Sequence, residues 1–247
     1  MIRAAAALFA LLPAPAWACR LALVLALDVS ASVDAAEYGL MMHGTAGALV
    51  SDPVAGLILA PGAGEVALAA FAWSGPGEVS EVLGWTLLAD RAALDRAAAA
   101  IAAAPRPAFS GRTATGSALA AGAAMLASGP PCARQVIDIA TDDAANAGPD
   151  PARVRDSPRL ADATVNALAV GGDVPFDHGS RAEEGGRLSA WLSAHVIRGP
   201  GAFVQGADDF RDFEAAMQAK LLREIAPVVV GRATTAQSGG STAIMVP

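Results

Sequence analysis

Lysine is all but missing from this chain. Of its 17 basic residues only Lys220 is a lysine, and 24 acidic residues leave a formal net charge of −7. That balance disfavours nucleic acid and anionic lipid surfaces as partners, because both need a positive face to meet them. Aromatic residues make up 5% of the chain, and histidine occurs three times, as His43, His178 and His195. None of the three stands at ligand spacing from another, so none is assigned to a metal. No pairing of nucleophile and base is evident, which speaks against covalent hydrolysis. Beyond residue 20 no apolar run reaches the roughly 20 residues that a membrane-spanning helix needs. No internal repeat is present, and the positive mean hydropathy of +0.43 comes largely from alanine. What remains is 247 residues, enough for one α/β domain with a sizeable core.

The chain is organised around residues 21–32, LALVLALDVSAS. Seven consecutive apolar residues predict a strand buried on both faces. Such a strand ends where it meets water, which puts Asp28 at its C-terminal tip and Ser30 and Ser32 in the turn that follows. Oxygen side chains at i, i+2 and i+4 of a tight turn can converge on a hard cation. Asp and Ser are also ordinary turn and cap residues, so the triplet gains its meaning from the rest of the chain. Ahead of it, residues 1–18 are expected to be a secretory signal peptide. Arg3 supplies the basic region, Ala4 to Leu12 the apolar core, and Ala16-Trp17-Ala18 a small-x-small cleavage site. Cleavage there leaves Cys19 first. Lipidation of Cys19 is disfavoured by Ala16 and Trp17, where a lipoprotein signal carries Leu and a small residue.

A first helix is expected over residues 34–49, with Asp34 and Glu37 as a capping pair and Tyr38, Met41, Met42, Thr45 and Leu49 as its core face. Residues 65–74 and 79–88 read as strands joined so tightly that they must pair antiparallel, with Trp73 and Trp85 as core or hairpin-face aromatics. Helices are expected over 92–103 and 117–126. Between them lies a small polar loop over 110–116, in which Thr113 is read locally as a helix N-cap. Residues 135–141 form a second buried strand that delivers a carboxylate, Asp142, at its end. Asp138 lies within it on the same face and needs a buried partner. A fifth strand is expected over 164–170, a Gly-rich acidic loop with the character of a specificity loop over 171–186, and a short helix over 187–195. A last strand follows over 202–205. The final helix, over 208–224, places Asp208 and Asp209 at its start and Lys220 and Arg223 at its end to suit the macrodipole. Residues 227–247 are expected to be a loosely ordered tail.

Ligands of open α/β sheets bind beyond the carboxyl ends of the strands. Two adjacent strands would there bring Asp28 and Asp142 together, a costly pairing unless a proton or cation lies between them. The set Asp28, Ser30, Ser32, then Thr113, then Asp142 resembles a von Willebrand factor A (vWA) domain with a metal-ion-dependent adhesion site (MIDAS). The resemblance spans about residues 20–225. It is nearest to a bacterial group of secreted A-domain proteins without assigned function, whose further motifs are similar to Trp73-Ser74-Gly75-Pro76-Gly77 and Arg198-Gly199-Pro200-Gly201-Ala202-Phe203-Val204. It implies a three-layer, Rossmann-like fold over residues 19–226: a central, mostly parallel sheet with one antiparallel edge strand and helices on both faces. It also implies that the five residues hold a divalent cation, Mg²⁺ first, with Mn²⁺ and Ca²⁺ as alternatives. A partner protein's Asp or Glu then completes the shell. Asp143 stands where the family usually has Gly and adds a carboxylate beside the site. Asp138, Asp143 and Asn146 are supporting candidates.

Cys19 lies nine residues before Asp28 and Cys132 ten before Asp142. If both Asp reach one metal from adjacent parallel strands, both Cys lie together at the opposite strand ends. In an oxidising compartment they are expected to form a disulfide, worth roughly 4 kcal/mol by chain entropy. The expected product is an exported, periplasmic or extracellular, metal-dependent protein-binding module. The alternatives are a vWA scaffold without metal-dependent binding and a Mg²⁺-dependent phosphohydrolase using Asp28 as nucleophile. The last is disfavoured by Ser30, where such enzymes carry a second acid, and by the remoteness of the lone Lys220.

Overall fold

The computed structural model describes residues 19–171 and 188–226. The expected signal peptide, nearly all of the Gly-rich loop with His178, and the tail over 227–247 lie outside the described residues.

Six strands form one sheet in the order β3-β2-β1-β4-β5-β6. They are β1 (Cys19–Asp28), β2 (Glu65–Trp73), β3 (Val79–Leu87), β4 (Arg134–Thr141), β5 (Ala163–Val170) and β6 (Val204–Ala207). All neighbours run parallel except β3, which pairs antiparallel with β2 at one edge. The helices are α1 (Ala35–Val50), α2 (Asp52–Ile58), α3 (Arg91–Ala102), α4 (Thr115–Ser128), α5 (Pro151–Arg155), α6 (Leu188–His195) and α7 (Phe213–Ile225). They cover both faces of the sheet, as the resemblance implied.

The strand alternation of β1 builds both layers. Leu21, Leu23, Leu25 and Leu27 enter one core with Met41, Met42, Leu94, Phe213 and Met217. Ala22, Val24 and Ala26 enter the other with Leu119, Leu126, Ile137 and Leu192. Each buried Leu contributes about 2–3 kcal/mol of transfer free energy. On this second face β1 contributes the small Ala22, Val24 and Ala26, and α4 approaches the sheet closely: a Cβ on Gly122 would stand 2.9 Å from the Ile137 side chain. The missing side chain at Gly122 therefore permits this approach.

Asp34 caps α1 by accepting from the Ala36 and Glu37 N–H groups, and Glu37 accepts the Asp34 N–H in return. Trp73 is buried in the core, and Trp85 donates from Nε1 to Met125 O at 3.1 Å, which docks the hairpin on α4. Three local expectations differ. The short α2 and α5 were not foreseen, and both begin at an Asp-Pro pair. The last helix starts at Phe213, because Asp209 folds back to accept the Arg211 N–H and holds residues 209–212 in a turn. Lys220 is not a solvent-facing cation at its end but is fully buried.

β1 and β4 pair with Leu21 opposite Arg134 and Leu27 opposite Ala140, an offset of 134 − 21 = 113 residues. That register sets Asp28 beside Thr141 and Asp142 at the upper edge. It also sets Cys19 opposite Cys132 at the lower edge. The two cysteines are disulfide-bonded, 113 residues apart in sequence, with Cα atoms 4.7 Å apart.

Candidate metal centre

The site is built where β1 and β4 end. Asp28 is buried at the tip of β1, and both its oxygens are engaged. Oδ1 accepts the Ser30 N–H at 2.8 Å and Oδ2 accepts the Thr141 hydroxyl at 2.5 Å. The Ser30 and Ser32 hydroxyls lie 3.1 Å apart, and Ser32 donates to Asp142 Oδ1 at 2.9 Å. Asp28, Ser30, Ser32 and Asp142 thus form one continuous group of oxygens from two neighbouring strand ends.

Thr113 reaches the same edge from the loop before α4. That loop is tied to the serine turn through Gly111, whose carbonyl accepts the Ala31 N–H at 3.0 Å. Thr113 is buried and does not cap α4: the N-cap position is Ala114, with no side-chain cap. The local N-cap reading of Thr113 is corrected by the tertiary contact that holds it. Asn146 Oδ1 accepts the Thr113 N–H at 3.0 Å, and Asn146 Nδ2 donates to Thr113 Oγ1 at 3.4 Å. Asn146 thus grips the threonine through both atoms of its side-chain amide. Asp143 engages its own turn, with Oδ1 accepting the Ala144 N–H at 2.7 Å. Asp138 faces away from this group, onto Lys220 at 2.8 Å.

Several supports were missed by sequence reasoning. Glu78 accepts from the Ser110 N–H, the Ser110 hydroxyl and the Gly75 N–H, so it fastens the Thr113 loop to the β2–β3 turn. Burial works against its ionisation, but these donors outweigh it and hold the carboxyl below its ordinary value. Ser74 donates to Arg112 O at 2.7 Å, and Ser74 O accepts the Ala114 N–H. The Trp73-Ser74-Gly75-Pro76-Gly77 motif is therefore a clamp on the Thr113 loop. Arg106 donates to Ser30 O at 3.3 Å and to Val33 O, which fixes the serine turn from the α3 side. The contacts of Glu78 with Ser110 and of Arg106 with the serine turn join residues far apart in sequence and carry no local signal.

The electrostatics show what this arrangement wants. Burial pushes the Asp28 carboxyl up to about 7, the nearby Asp142 charge adds to the rise, and hydrogen bonds from Thr141 and Ser30 oppose it. Burial likewise pushes Asp142 up to about 6 against the Ser32 hydrogen bond, with Asp143 and Glu37 adding. Two acids held close at a half-dry edge resist double ionisation, and a divalent cation between them would relieve that. Among the described residues no group of three or more His, Cys, Asp or Glu side chains gathers as a metal cage. The side chains gathered by hydrogen bonds at this edge, Asp28, Ser30, Ser32 and Asp142, present oxygen atoms alone, the donor type that suits hard cations.

The architecture has solved counterparts. Proximal thread matrix protein 1 from the mussel byssus matches with a TM-score of 0.58 at 16% identity, covering 85% of this chain and 48% of that one. The same protein has also been solved with a zinc-occupied MIDAS motif. Manganese-loaded TRAP protein of Plasmodium vivax matches with a TM-score of 0.51 at 14% identity, over 83% of this chain and 74% of that one. A von Willebrand factor type A protein from Catenulispora acidiphila matches with a TM-score of 0.51 at 19% identity, over 84% and 43%. The chain spans about half the length of the mussel protein. At these identities the likeness establishes the fold, that of a vWA domain. No curated protein matches the chain. A family described as protein of unknown function (DUF1194) matches residues 18–229, and the chain belongs to that family.

Proposed function

We propose that this chain is an exported, metal-dependent protein-binding module. Asp28, Ser30, Ser32, Thr113 and Asp142 hold one divalent cation, Mg²⁺ in the first instance, and a partner protein's Asp or Glu completes its coordination. The observation that carries this reading is the hydrogen-bonded run from Asp28 through Ser30 and Ser32 to Asp142 at one sheet edge. When bound, the cation supplies residual positive charge that an incoming carboxylate can neutralise. The chain's own groups do the rest. Thr141 and the Ser30 N–H orient Asp28, Asn146 orients Thr113, and Glu78 and Arg106 hold the two loops at a fixed separation. Metals bound at this fold in the mussel and Plasmodium proteins support a divalent cation as the cofactor class. The Cys19–Cys132 disulfide suits an oxidising compartment and so supports export. The phosphohydrolase alternative loses its lysine, since Lys220 is committed in the core to Asp138.

Calorimetric titration with Mg²⁺ and Mn²⁺ tests the reading on the parent chain beside Asp28→Ala and Asp142→Ala. Binding in the parent that is lost in both variants is expected, followed by chelator-sensitive capture of a partner. A folded parent that binds neither metal would refute the adhesion-site reading and leave the scaffold alternative.

A further inference from the structure

The chain's single lysine stands in the core between two carboxyl groups. Lys220 on α7 is 0% exposed, with Nζ 2.8 Å from Asp138 Oδ1 on β4 and 2.5 Å from Glu224 Oε1 one helical turn on. Asp138 and Glu224 are equally buried. Nζ lies near Asp138 outside hydrogen-bonding alignment: among the described residues neither Asp138 oxygen accepts a hydrogen bond, and neither does Glu224 Oε2. Asn166 Nδ2 donates to Glu224 Oε1 at 2.6 Å, and Asn166 Oδ1 accepts the Phe203 N–H, so Glu224 is fixed from β5. The Phe203 ring lies 5.2 Å from Nζ, and the Arg223 guanidinium covers that ring at 3.8 Å. Among the described residues no hydrogen bond joins Lys220, Asp138 or Glu224 to Asp28, Ser30, Ser32, Thr113 or Asp142.

We infer that Lys220 and Asp138 condense spontaneously to an intramolecular amide, with Glu224 as the proton-transferring acid–base. One ammonium and two carboxylates in a dry site leave an uncompensated negative charge, which is costly. Moving a proton from Lys220 to Asp138 replaces a buried ion pair with a neutral amine and a neutral acid. Burial disfavours the charged carboxylate and pushes Asp138 up to about 7, against the opposing pull of Lys220 and with Glu224 adding to the rise. The products of the transfer are a nucleophile and an electrophile already in contact. The Lys220 nitrogen attacks Asp138 Cγ. Glu224 takes a proton from that nitrogen and returns it to the departing hydroxyl, which leaves as water. The C–O bond is lost, a C–N bond is gained, and Glu224 ends as it began. The net charge of the cluster stays at −1, and no oxidant or other co-reactant is needed. Lysine can be the nucleophile where arginine cannot, because a guanidinium does not give up its proton in proteins. A chain that uses arginine at its other 16 basic positions (17 − 1) keeps lysine here. The amide would join α7 covalently to the strand whose tip carries Asp142.

Denaturing mass spectrometry of the purified, disulfide-reduced chain tests this directly. The expected mass is about 18 Da, one water, below that of the sequence. Digestion with trypsin should yield a branched species, residues 135–153 joined through Asp138 to residues 212–223 through an uncut Lys220. Glu224→Gln and Lys220→Arg should both run at full mass with no branched peptide. A parent of full mass after prolonged incubation between pH 5 and 8 would overturn the proposal without recourse to any variant. So would a water loss that persists in Lys220→Arg, since that would place the loss elsewhere, for instance at a succinimide.

Discussion

Replacing Cys19 and Cys132 together by alanine should destabilise the fold by about 3–5 kcal/mol while leaving metal affinity unchanged. The bond closes a sequence separation of 113 residues, which by chain entropy restricts the unfolded state by about 16 cal/mol/K, or about 4.8 kcal/mol at 25 °C. The folded state gives little of this back. The parallel register already sets the two residues opposite each other, and the Ala133 N–H donates to Cys19 O at 3.0 Å beside them. The same register places the bond at the far end of the 10-residue β1, about 30 Å from Asp28 at the rise of a strand. Urea denaturation of parent and variant, read by far-ultraviolet circular dichroism, gives the stability difference. Thermal unfolding should shift by about 10 °C for a domain of this size. A loss below about 1 kcal/mol would refute the loop-entropy reasoning. A loss of Mg²⁺ affinity in a variant that remains folded would refute the independence of the two sheet edges.

The remaining predictions concern the metal edge. In Gly116→Ala the new Cβ would stand 2.2 Å from Pro149 O, so the loop after β4 must move; a cost of about 2–3 kcal/mol is expected in chemical denaturation, together with weaker metal binding through the displaced Thr113. With chelator present, stability should fall as pH rises from about 4 to about 7. The folded pKa of Asp28 lies above its unfolded value, so the fold favours the protonated acid and loses that advantage as the group ionises. Asp28→Asn should lessen this slope, leaving the shares of Asp142 and Asp138, whose carboxyls are also raised, and Mg²⁺ should reverse it in the parent alone; an unchanged slope in the variant would count against Asp28 as a source.

The strands were readable because each is an uninterrupted apolar run closed by a polar residue, and the sheet's burial on both faces demands that pattern. The α1 capping box was readable because its partners are three residues apart. Thr113 was misread for the converse reason. A threonine before a helix has the chemistry of a cap, and only Asn146, 33 residues away, withdraws it from that role. Lys220 was misplaced in the same way: at the end of an amphipathic helix a lysine suits the macrodipole, until Asp138 is found facing it across the core. Glu78, Ser74 and Arg106 left no trace in local pattern, because each acts on a loop distant in sequence.

The sequence by itself determined the alternation of strand and helix and the carboxylates at two strand tips, which follow from periodicity. It paired the cysteines only on the condition that β1 and β4 lie side by side, the arrangement in which both carboxylates reach one metal. Only the tertiary structure decided which hydroxyls meet those carboxylates, what holds the Thr113 loop against them, and that the one lysine lies between Asp138 and Glu224. Those contacts join residues whose separation in the chain carries no information about their separation in space, and they are set by the packing of α4 and α7 against opposite faces of one sheet.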